Sequence, residues 1–203
     1  MSAAPETPSL VRRLSFGIVR PSLIGAWRLK ISGAERIPAE GPLIVASNHV
    51  HLADGPVLVV SVGASRYLRF LAKAELFRVP VLGPYLKSVG MVSVVRGQGD
   101  LSALRSAMEL LKGGGCLGIF PEGTRTRPGA PGRAKPGVGF LARATGAPVL
   151  PARILNTDGF SRFRPIEVRF GECLRFPESV PEADARRECQ AFSDSVMKAV
   201  FDL

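Results

Sequence analysis

Residues 43–62 read LIVASNHVHLADGPVLVVSV. The first five are all apolar or small, which is typical of a short strand that is buried on both faces of a sheet. Residues 53–62 are predicted to form a helix, so a polar segment joins a buried strand to the start of a helix. A strand, a polar turn and a helix in this order form the basic unit of an α/β fold.

The same alternation of strands and helices continues along the rest of the chain. Further strands are predicted at 27–31, 67–72, 91–95, 116–120, 149–154 and 166–170. Further helices are predicted at 100–112, 138–145 and 186–201. This pattern predicts an α/β fold with a largely parallel central sheet flanked by helices. Because no internal repeat and no linker divides the chain, we predict one domain over residues 26–203.

The charge balance indicates an anionic partner. The 203 residues carry 27 Lys and Arg against 17 Asp and Glu, which gives a net charge of +10. A nucleic acid, an acidic bilayer surface or a phosphorylated small molecule would each suit this charge. Aromatic residues make up only 7% of the chain. Surfaces on which bases could stack are therefore scarce, and nucleic acid is the least favoured of the three.

The N-terminal segment, residues 1–25, has an amphipathic pattern. Leu10, Leu14 and Ile18 recur every four residues, with arginines between and after them. Pro21 is predicted to begin a second short helix, because proline is well accepted in a first helical turn. One interpretation is a helix packed on the domain. The other is an interfacial helix that lies in the headgroup layer of a membrane. The longest uncharged stretch, 41–53, is too short to span a bilayer, and no signal peptide is recognised.

The three cysteines do not form a disulfide framework. Cys116, Cys173 and Cys189 are odd in number and widely separated. This usage is typical of a reducing compartment. Cys116 lies in an apolar run, so it is predicted to be a buried small residue rather than a nucleophile.

Both histidines of the chain, His49 and His51, lie in the segment Asn48-His49-Val50-His51-Leu52-Ala53-Asp54. A metal site is disfavoured, because Asp54 would be the only local addition to the two imidazoles. Burial in the core, a solvated loop and a base held by a carboxylate remain open. In the last case Asp54 would fix the tautomer of one imidazole and leave its other nitrogen to accept a proton. His49 and His51 compete for that role.

A second polar segment, Phe120-Pro121-Glu122-Gly123-Thr124-Arg125, follows the predicted strand 116–120. Ligands of open α/β sheets bind at the carboxyl ends of the strands, which is where this segment falls. Gly123 permits close approach of the backbone, and Arg125 can hold two phosphate oxygens. No acidic residue occurs in 123–157, and this range contains several basic ones. They are Arg125, Arg127, Arg133, Lys135, Arg143 and Arg153. An ordinary surface turn is the alternative.

Two common enzyme signatures are absent from the sequence. It contains no G-x-x-x-x-G-K-[ST] phosphate loop and no G-x-S-x-G nucleophile turn. No cysteine lies near the histidines in sequence. A histidine–aspartate pair would then activate a hydroxyl group of the substrate itself.

Five segments together resemble the glycerophospholipid acyltransferases of the 1-acyl-glycerol-3-phosphate acyltransferase type. The first is the N-H-x-x-x-x-D block at 48–54, and the second is the F-P-E-G-T-R block at 120–125. Between them lie a K-x-E-L segment at 73–76 and a glycine–apolar–arginine segment at 90–96. An apolar–proline strand at 149–151 completes the series. The segments occur in the order of the family and span about half of the chain.

The resemblance implies transfer of a fatty acyl group from an acyl thioester to a glycerolipid hydroxyl. By motif position, His49 would be the general base and Asp54 its orienting partner, because His51 falls on a variable position. The phosphoglycerol acceptor site would be lined by Glu122, Gly123, Thr124 and Arg125. Lys73 and Arg96 would be further phosphate contacts. No cofactor and no metal would be needed, because acyl-CoA or acyl-carrier protein is a co-substrate.

A glycerolipid acceptor would require contact with a bilayer. We therefore favour the interfacial interpretation of residues 1–25 and expect a peripheral protein on the cytoplasmic face of the cell membrane. The expected acceptor is 1-acyl-glycerol-3-phosphate, which would become phosphatidic acid. Another lysophospholipid or glycerol-3-phosphate remains an alternative acceptor. A non-catalytic basic protein that binds anionic membranes remains the alternative of a different class.

Overall fold

A computed structural model describes residues 10–63, 66–88, 91–94, 100–127 and 132–203. Its helices are α1 (Leu10–Ala26), α2 (Asp54–Val62), α3 (Leu82–Ser88), α4 (Asp100–Lys112), α5 (Gly137–Thr145) and α6 (Ala185–Phe201). Its strands are β1 (Lys30–Ser32), β2 (Leu43–Ser47), β3 (Leu68–Lys73), β4 (Val92–Val94), β5 (Cys116–Ile119), β6 (Val149–Leu155) and β7 (Glu167–Phe170). Short 3₁₀ turns occupy Ala34–Arg36, Ala74–Arg78, Thr157–Arg162 and Glu182–Asp184.

The strands form one sheet in the order β1-β7-β6-β2-β5-β3-β4. Every neighbouring pair is parallel except β6 and β7, which are antiparallel. The predicted α/β fold with a largely parallel sheet flanked by helices is therefore confirmed. Strand β2 lies between β5 and β6, and Ala46 is in register with Ile119 on one side and Pro151 on the other. The carboxyl ends of these three strands consequently meet at one edge.

Helices cover both faces of the sheet, which explains the uninterrupted apolar run of β2. Leu43 and Val45 belong to the core cluster beneath α1 and α2, whereas Ile44 and Ala46 belong to the cluster beneath α4, α5 and α6. All four side chains are fully buried. Each large apolar side chain buried in this way contributes about 1.5–3 kcal/mol to folding. Successive residues of a strand point to opposite faces, so one short strand anchors both layers.

The N-terminal helix differs from its prediction. We expected a break before Pro21, but α1 is one helix in which Pro21 is an internal residue. The proline removes one helical hydrogen bond. On either side of it the helix buries apolar side chains, since Leu23 lies in the core and Phe16 and Val19 pack against it. This packing holds the second part of the segment in line with the first. Residues 1–9 of the predicted segment 1–25 lie outside the described residues.

Two further differences concern strand ends and helices. The strand expected at 27–31 begins only at Lys30, because Trp27 turns away to stack on Phe160, with 4.3 Å between ring centroids. Its indole N–H also donates a hydrogen bond of 2.8 Å to the Phe160 carbonyl.

Helix α3 was not predicted from the sequence. Cys116, Cys173 and Cys189 form no disulfide bond, as expected, and Cys116 is buried. No helix among the described residues has the length and hydropathy needed to cross a membrane.

Candidate active site

The site begins with Asn48, the residue that follows the buried strand β2. Its side chain is buried and lies against the end of β6. Nδ2 of the Asn48 side chain donates to the Ile154 backbone carbonyl at 2.9 Å. The Ile154 backbone N–H donates to Oδ1 of the Asn48 side chain at 2.8 Å. These two hydrogen bonds continue the contact between β2 and β6 beyond their backbone pairing. Asn48 therefore fixes the point at which the chain leaves the sheet.

Asp54, the first residue of α2, organises the turn that follows. Its carboxylate is fully buried. Oδ2 accepts the backbone N–H groups of Val50 at 2.7 Å and of His51 at 2.8 Å. The same oxygen lies 2.9 Å from Nδ1 of His49. Because a carboxylate oxygen that already accepts two N–H groups can only accept again, Nδ1 of His49 carries the proton in this contact. Nε2 is then the nitrogen that can accept a proton.

The pKa of Asp54 follows from the same contacts. Burial raises the pKa, because it disfavours the charged form. Hydrogen bonds from the His49 ring, from the His51 N–H and from the Val50 N–H lower it, and the lowering prevails. The pKa of Asp54 thus lies below its ordinary value. The carboxylate is consequently ionised at neutral pH and holds the His49 tautomer in place.

Aromatic stacking fixes the plane of the His49 ring. The imidazole lies on Phe120 with 4.0 Å between ring centroids and 12° between planes. Phe120 in turn stacks on Phe70 at 5.3 Å. Phe70 occupies the space beside Gly118, where an added Cβ would lie 2.5 Å from its ring. The His49 side chain remains 19% exposed, so the imidazole is held on one side and open on the other.

The second histidine occupies a different position. Nδ1 of His51 accepts the backbone N–H of Ala53 at 3.2 Å, and its ring stacks on Phe160 at 5.6 Å. Only the backbone N–H of His51 reaches the Asp54 carboxylate. Of the two histidines that competed on sequence grounds, His49 is the one whose ring contacts Asp54.

Glu122 links the two polar loops. Its side chain is only 4% exposed, and Oε2 accepts the backbone N–H of His49 at 3.1 Å. Oε1 accepts the N–H of Gly132 at 2.8 Å and the Thr126 hydroxyl at 3.1 Å. The Thr126 N–H also donates to the His49 carbonyl at 2.8 Å. The structure brings the loops together, as the shared sheet edge predicted. The carboxylate of Glu122, however, faces the protein's own donors rather than solvent.

The rest of the second loop is exposed. Gly123, Thr124 and Arg125 all face solvent. Gly123 has a φ of +71°, and a Cβ there would lie 2.7 Å from Nζ of Lys135. The positive φ favours glycine at this position, and the end of the Lys135 side chain lies close to it. Lys135 places a second cation on the Arg125 loop. In the sequence, Lys135 was marked only as one of several basic residues in the range 123–157, which contains no acidic residue.

The chain is similar to known proteins. The acyltransferase family model matches residues 28–155, which include both polar loops.

This chain belongs to the acyltransferase family.

The resemblance of its five segments is thus confirmed. The chain is 33% identical over 139 residues to a chloroplastic 1-acyl-sn-glycerol-3-phosphate acyltransferase of Brassica napus, covering 67% of this chain and 40% of that one. It is 32% identical over 155 residues to a 1-acyl-sn-glycerol-3-phosphate acyltransferase of Borreliella burgdorferi, covering 73% and 61% of the two. The chain therefore spans about half the length of these curated relatives.

A solved structure is also similar to this chain. The crystal structure of the 1-acyl-sn-glycerophosphate acyltransferase PlsC from Thermotoga maritima matches with a TM-score of 0.69 and 25% identity. The match covers 94% of this chain and 81% of that one. It extends the likeness beyond the region of the family model, which does not include α6.

Two further site residues were predicted, Lys73 and Arg96. Lys73 is the last residue of β3, which runs parallel to β5, so its backbone lies at the same edge as His49. Arg96 lies outside the described residues. Within the described ranges, no cluster of three or more His, Cys, Asp and Glu side chains is arranged to hold a metal ion.

Replacing Asp54 by Asn should flatten the loss of stability in acid. The folded-state pKa of Asp54 is lowered. Its contribution is therefore present above the unfolded-state pKa of about 4 and is lost as the pH falls through the folded-state value. Between pH 6 and pH 3 the free energy of unfolding of the wild type should fall by at most about 1.4 kcal/mol more than that of Asp54→Asn, because pH 3 lies about one unit below the unfolded-state pKa. Urea denaturation at several pH values measures this difference.

The exposed Asp202 provides the matched control for this experiment, since its ion pair with Lys198 lies at the surface. An Asp202→Asn variant should follow the acid profile of the wild type, because exposed ion pairs contribute little. Parallel profiles for the wild type and Asp54→Asn would contradict the ionised network.

Proposed function

We propose that the chain transfers a fatty acyl group from an acyl thioester to the free hydroxyl of 1-acyl-glycerol-3-phosphate, forming phosphatidic acid. The donor in this proposal is acyl-CoA or acyl-carrier protein. The observation that carries it is the 2.9 Å contact between His49 Nδ1 and Asp54 Oδ2. The His49 ring that makes this contact remains partly open to solvent beside the Arg125 loop. The similarity to 1-acyl-sn-glycerol-3-phosphate acyltransferases in sequence and in fold supports the same reaction.

In this reaction His49 acts as the general base. Nε2 takes the proton of the acceptor hydroxyl while the oxygen attacks the thioester carbonyl, so that a C–O bond forms and the C–S bond breaks. The proton then passes from Nε2 to the departing thiolate. The Asp54 carboxylate stabilises the imidazolium in between. General base catalysis of this kind accelerates a reaction about 10²–10⁴-fold. The proposal includes no cofactor and no metal ion, since the thioester is already an activated acyl group.

Two neighbours of His49 act as positioning residues. The flat contact with Phe120 holds the ring in one plane. Glu122 fixes the backbone of His49 through its N–H. Because catalytic groups work only in a narrow range of geometry, these contacts prepare the base before substrate binds. We therefore assign Glu122 to the support of the base rather than to the acceptor.

The acceptor phosphate binds beside the Arg125 loop in this proposal. Arg125 is exposed, and Lys135 approaches the same loop at Gly123. A guanidinium can bind a phosphate through two hydrogen bonds, and the ammonium adds a point charge. Gly123 and Thr124 supply backbone and hydroxyl contacts, and Lys73 and Arg96 are further candidates for the phosphate. A monoanionic or dianionic phosphate next to these groups would hold the glycerol hydroxyl near Nε2.

Membrane contact would bring the lipid acceptor to this site. Helix α1 exposes Leu10, Leu14 and Ile18, which are between 57% and 70% exposed. It packs beside α3, which together with the preceding turn exposes Val81, Leu82 and Tyr85. Val81 is 84% exposed in a left-handed backbone conformation, with a φ of +67°. A β-branched residue is strained there, which favours a function for its exposed apolar side chain.

We accordingly propose that α1 and α3 form a peripheral contact with an anionic bilayer, at the cytoplasmic face of the cell membrane. The net charge of +10 favours anionic lipid, and the exposed apolar side chains would enter the headgroup layer. A basic protein that binds anionic membranes without catalysis would share these surfaces. Such a non-catalytic protein would not need a buried carboxylate, Asp54, that orients a partly exposed imidazole, His49.

A His49→Ala variant should lose about 10²–10⁴-fold in kcat, because it removes the imidazole that Asp54 orients toward the substrate. His51→Ala is the matched control and should retain most of the turnover, since the His51 ring does not contact Asp54. Thiol release from acyl-CoA, measured with and without 1-acyl-glycerol-3-phosphate, gives both values. Equal loss in the two variants, or full turnover in His49→Ala, would reject the base assignment.

An Arg125→Ala variant should raise the KM for 1-acyl-glycerol-3-phosphate about tenfold or more, because a charge-assisted contact to phosphate is lost. The KM for monoacylglycerol, which lacks the phosphate, should not change. An acceptor panel that includes glycerol-3-phosphate and other lysophospholipids, with one radiolabelled acyl-CoA, identifies the acceptor. Unchanged kinetics with every phosphorylated acceptor would contradict this role of Arg125.

Replacing Leu14 and Ile18 together by Gln should weaken binding to vesicles about tenfold or more, because two apolar side chains no longer enter the interface. Phe140→Gln is the control, since this exposed side chain lies on α5, at the opposite face of the sheet. Sedimentation with vesicles of phosphatidylcholine, with and without phosphatidic acid, measures the affinity. Equal binding of the double variant and the wild type would contradict the proposed contact.

A further inference from the structure

A cavity opens at the same edge of the sheet as His49, on the side where α6 packs. Its volume is about 250 Å³. Asn48, Val50 and Thr126 form one wall, and these residues belong to or adjoin the two polar loops. Arg153 of β6 and Phe201 of α6 form the wall opposite. The cavity therefore adjoins the candidate active site through the backbone that carries His49.

The lining of this cavity is strongly cationic. Arg127, Arg153 and Arg164 all line it, and Asp158 is the acidic residue among the lining groups. Asp158 lies 3.9 Å from Arg164, a loose ion pair in which both side chains are exposed. Two guanidinium groups thus have no carboxylate among the cavity walls. Such a concentration of positive charge favours an anionic ligand with several oxygens.

Arg153 is the most constrained of the three arginines. Its guanidinium carbon lies 4.0 Å above the ring of Phe201, which fixes the group in place. Its Nη1 is buried and has no hydrogen-bond partner among the described residues. Burial and the nearby charge of Arg169 lower the pKa of Arg153, although Glu122 opposes this effect. A buried guanidinium N–H without an acceptor is costly, and an anion in the cavity would remove that cost.

We infer that this cavity binds a phosphate group of the acyl donor. The inference rests on the proposed function, in which the acceptor phosphate is bound at Arg125. Both proposed donors carry their thioester at the end of a pantetheine arm, and the other end of that arm bears phosphate. The donor phosphate must then bind at some distance from the imidazole but within reach of the same sheet edge. The cavity at Arg153 meets this condition, whereas the Arg125 loop is assigned to the other substrate.

The test compares Arg153→Gln and Arg164→Gln with the control Arg175→Gln, an exposed arginine outside the cavity. Arg153→Gln should raise the KM for acyl-CoA about tenfold and leave the KM for 1-acyl-glycerol-3-phosphate unchanged. Arg164→Gln, at an exposed position, should raise the KM for acyl-CoA in the same direction. It tests the cavity without disturbing the contact between Arg153 and Phe201. Thermal unfolding shows whether each variant is folded.

Binding measurements separate this inference from the proposed reaction. Titration calorimetry with coenzyme A, adenosine 3′,5′-bisphosphate and pantetheine needs no turnover. The wild type should bind the two phosphorylated probes, Arg153→Gln should bind them about tenfold more weakly, and pantetheine should bind weakly to both. If these results hold but no acceptor is acylated, the donor phosphate site stands and the proposed reaction fails.

Three outcomes would overturn the inference. In the first, pantetheine binds as tightly as coenzyme A, so that the phosphates contribute nothing. In the second, Arg153→Gln raises the KM for the acceptor alone, which would assign the cavity to the acceptor phosphate. In the third, Arg153→Gln and Arg164→Gln both keep the kinetics and the coenzyme A affinity of Arg175→Gln.

Discussion

The carboxylate of Asp54 determines the shape of the candidate site. One of its oxygens accepts two backbone N–H groups and the imidazole N–H, so the turn between β2 and α2 closes around a single buried charge. An ionised carboxylate is tolerated there because these donors replace the water that it loses on burial. The orientation of His49, the start of α2 and the exit of the chain from β2 are thereby coupled. Glu122 repeats the arrangement from the second loop, with a buried carboxylate that accepts backbone N–H groups.

Most of the sheet could be predicted from the sequence, because buried strands and amphipathic helices differ in period and composition. The apolar run of β2 and the glycines after α4 gave clear signals. The continuity of α1 through Pro21 could not be predicted, because it depends on the tertiary packing of Leu23. The start of β1 was misplaced for a similar reason. Trp27 fits a strand pattern, yet its partner Phe160 lies far away in sequence.

The site was predicted only in part. The spacing of His49 and Asp54 allowed a contact but did not exclude His51, and only the family resemblance favoured His49 before the path of the turn was known. Asn48 and Glu122 received no positioning role, because their partners are backbone groups of distant segments. Nothing in a linear sequence indicates that Ile154 or Gly132 will offer an N–H at that place. The sequence showed that Lys135 adds positive charge to this region. Its position beside Gly123 could be seen only in the folded structure.

The stack formed by His49, Phe120 and Phe70 reaches from the surface to the middle of β5. Gly118 lies at its inner end, where the ring of Phe70 fills the space that a side chain would need. The protein interior is densely packed, so a larger residue at 118 would displace Phe70 and, through Phe120, the imidazole. In the proposed reaction, a change at this buried glycine would therefore alter proton transfer by His49. Its effect would be a change in the rate of that reaction, although the residue lies in neither of the two polar loops.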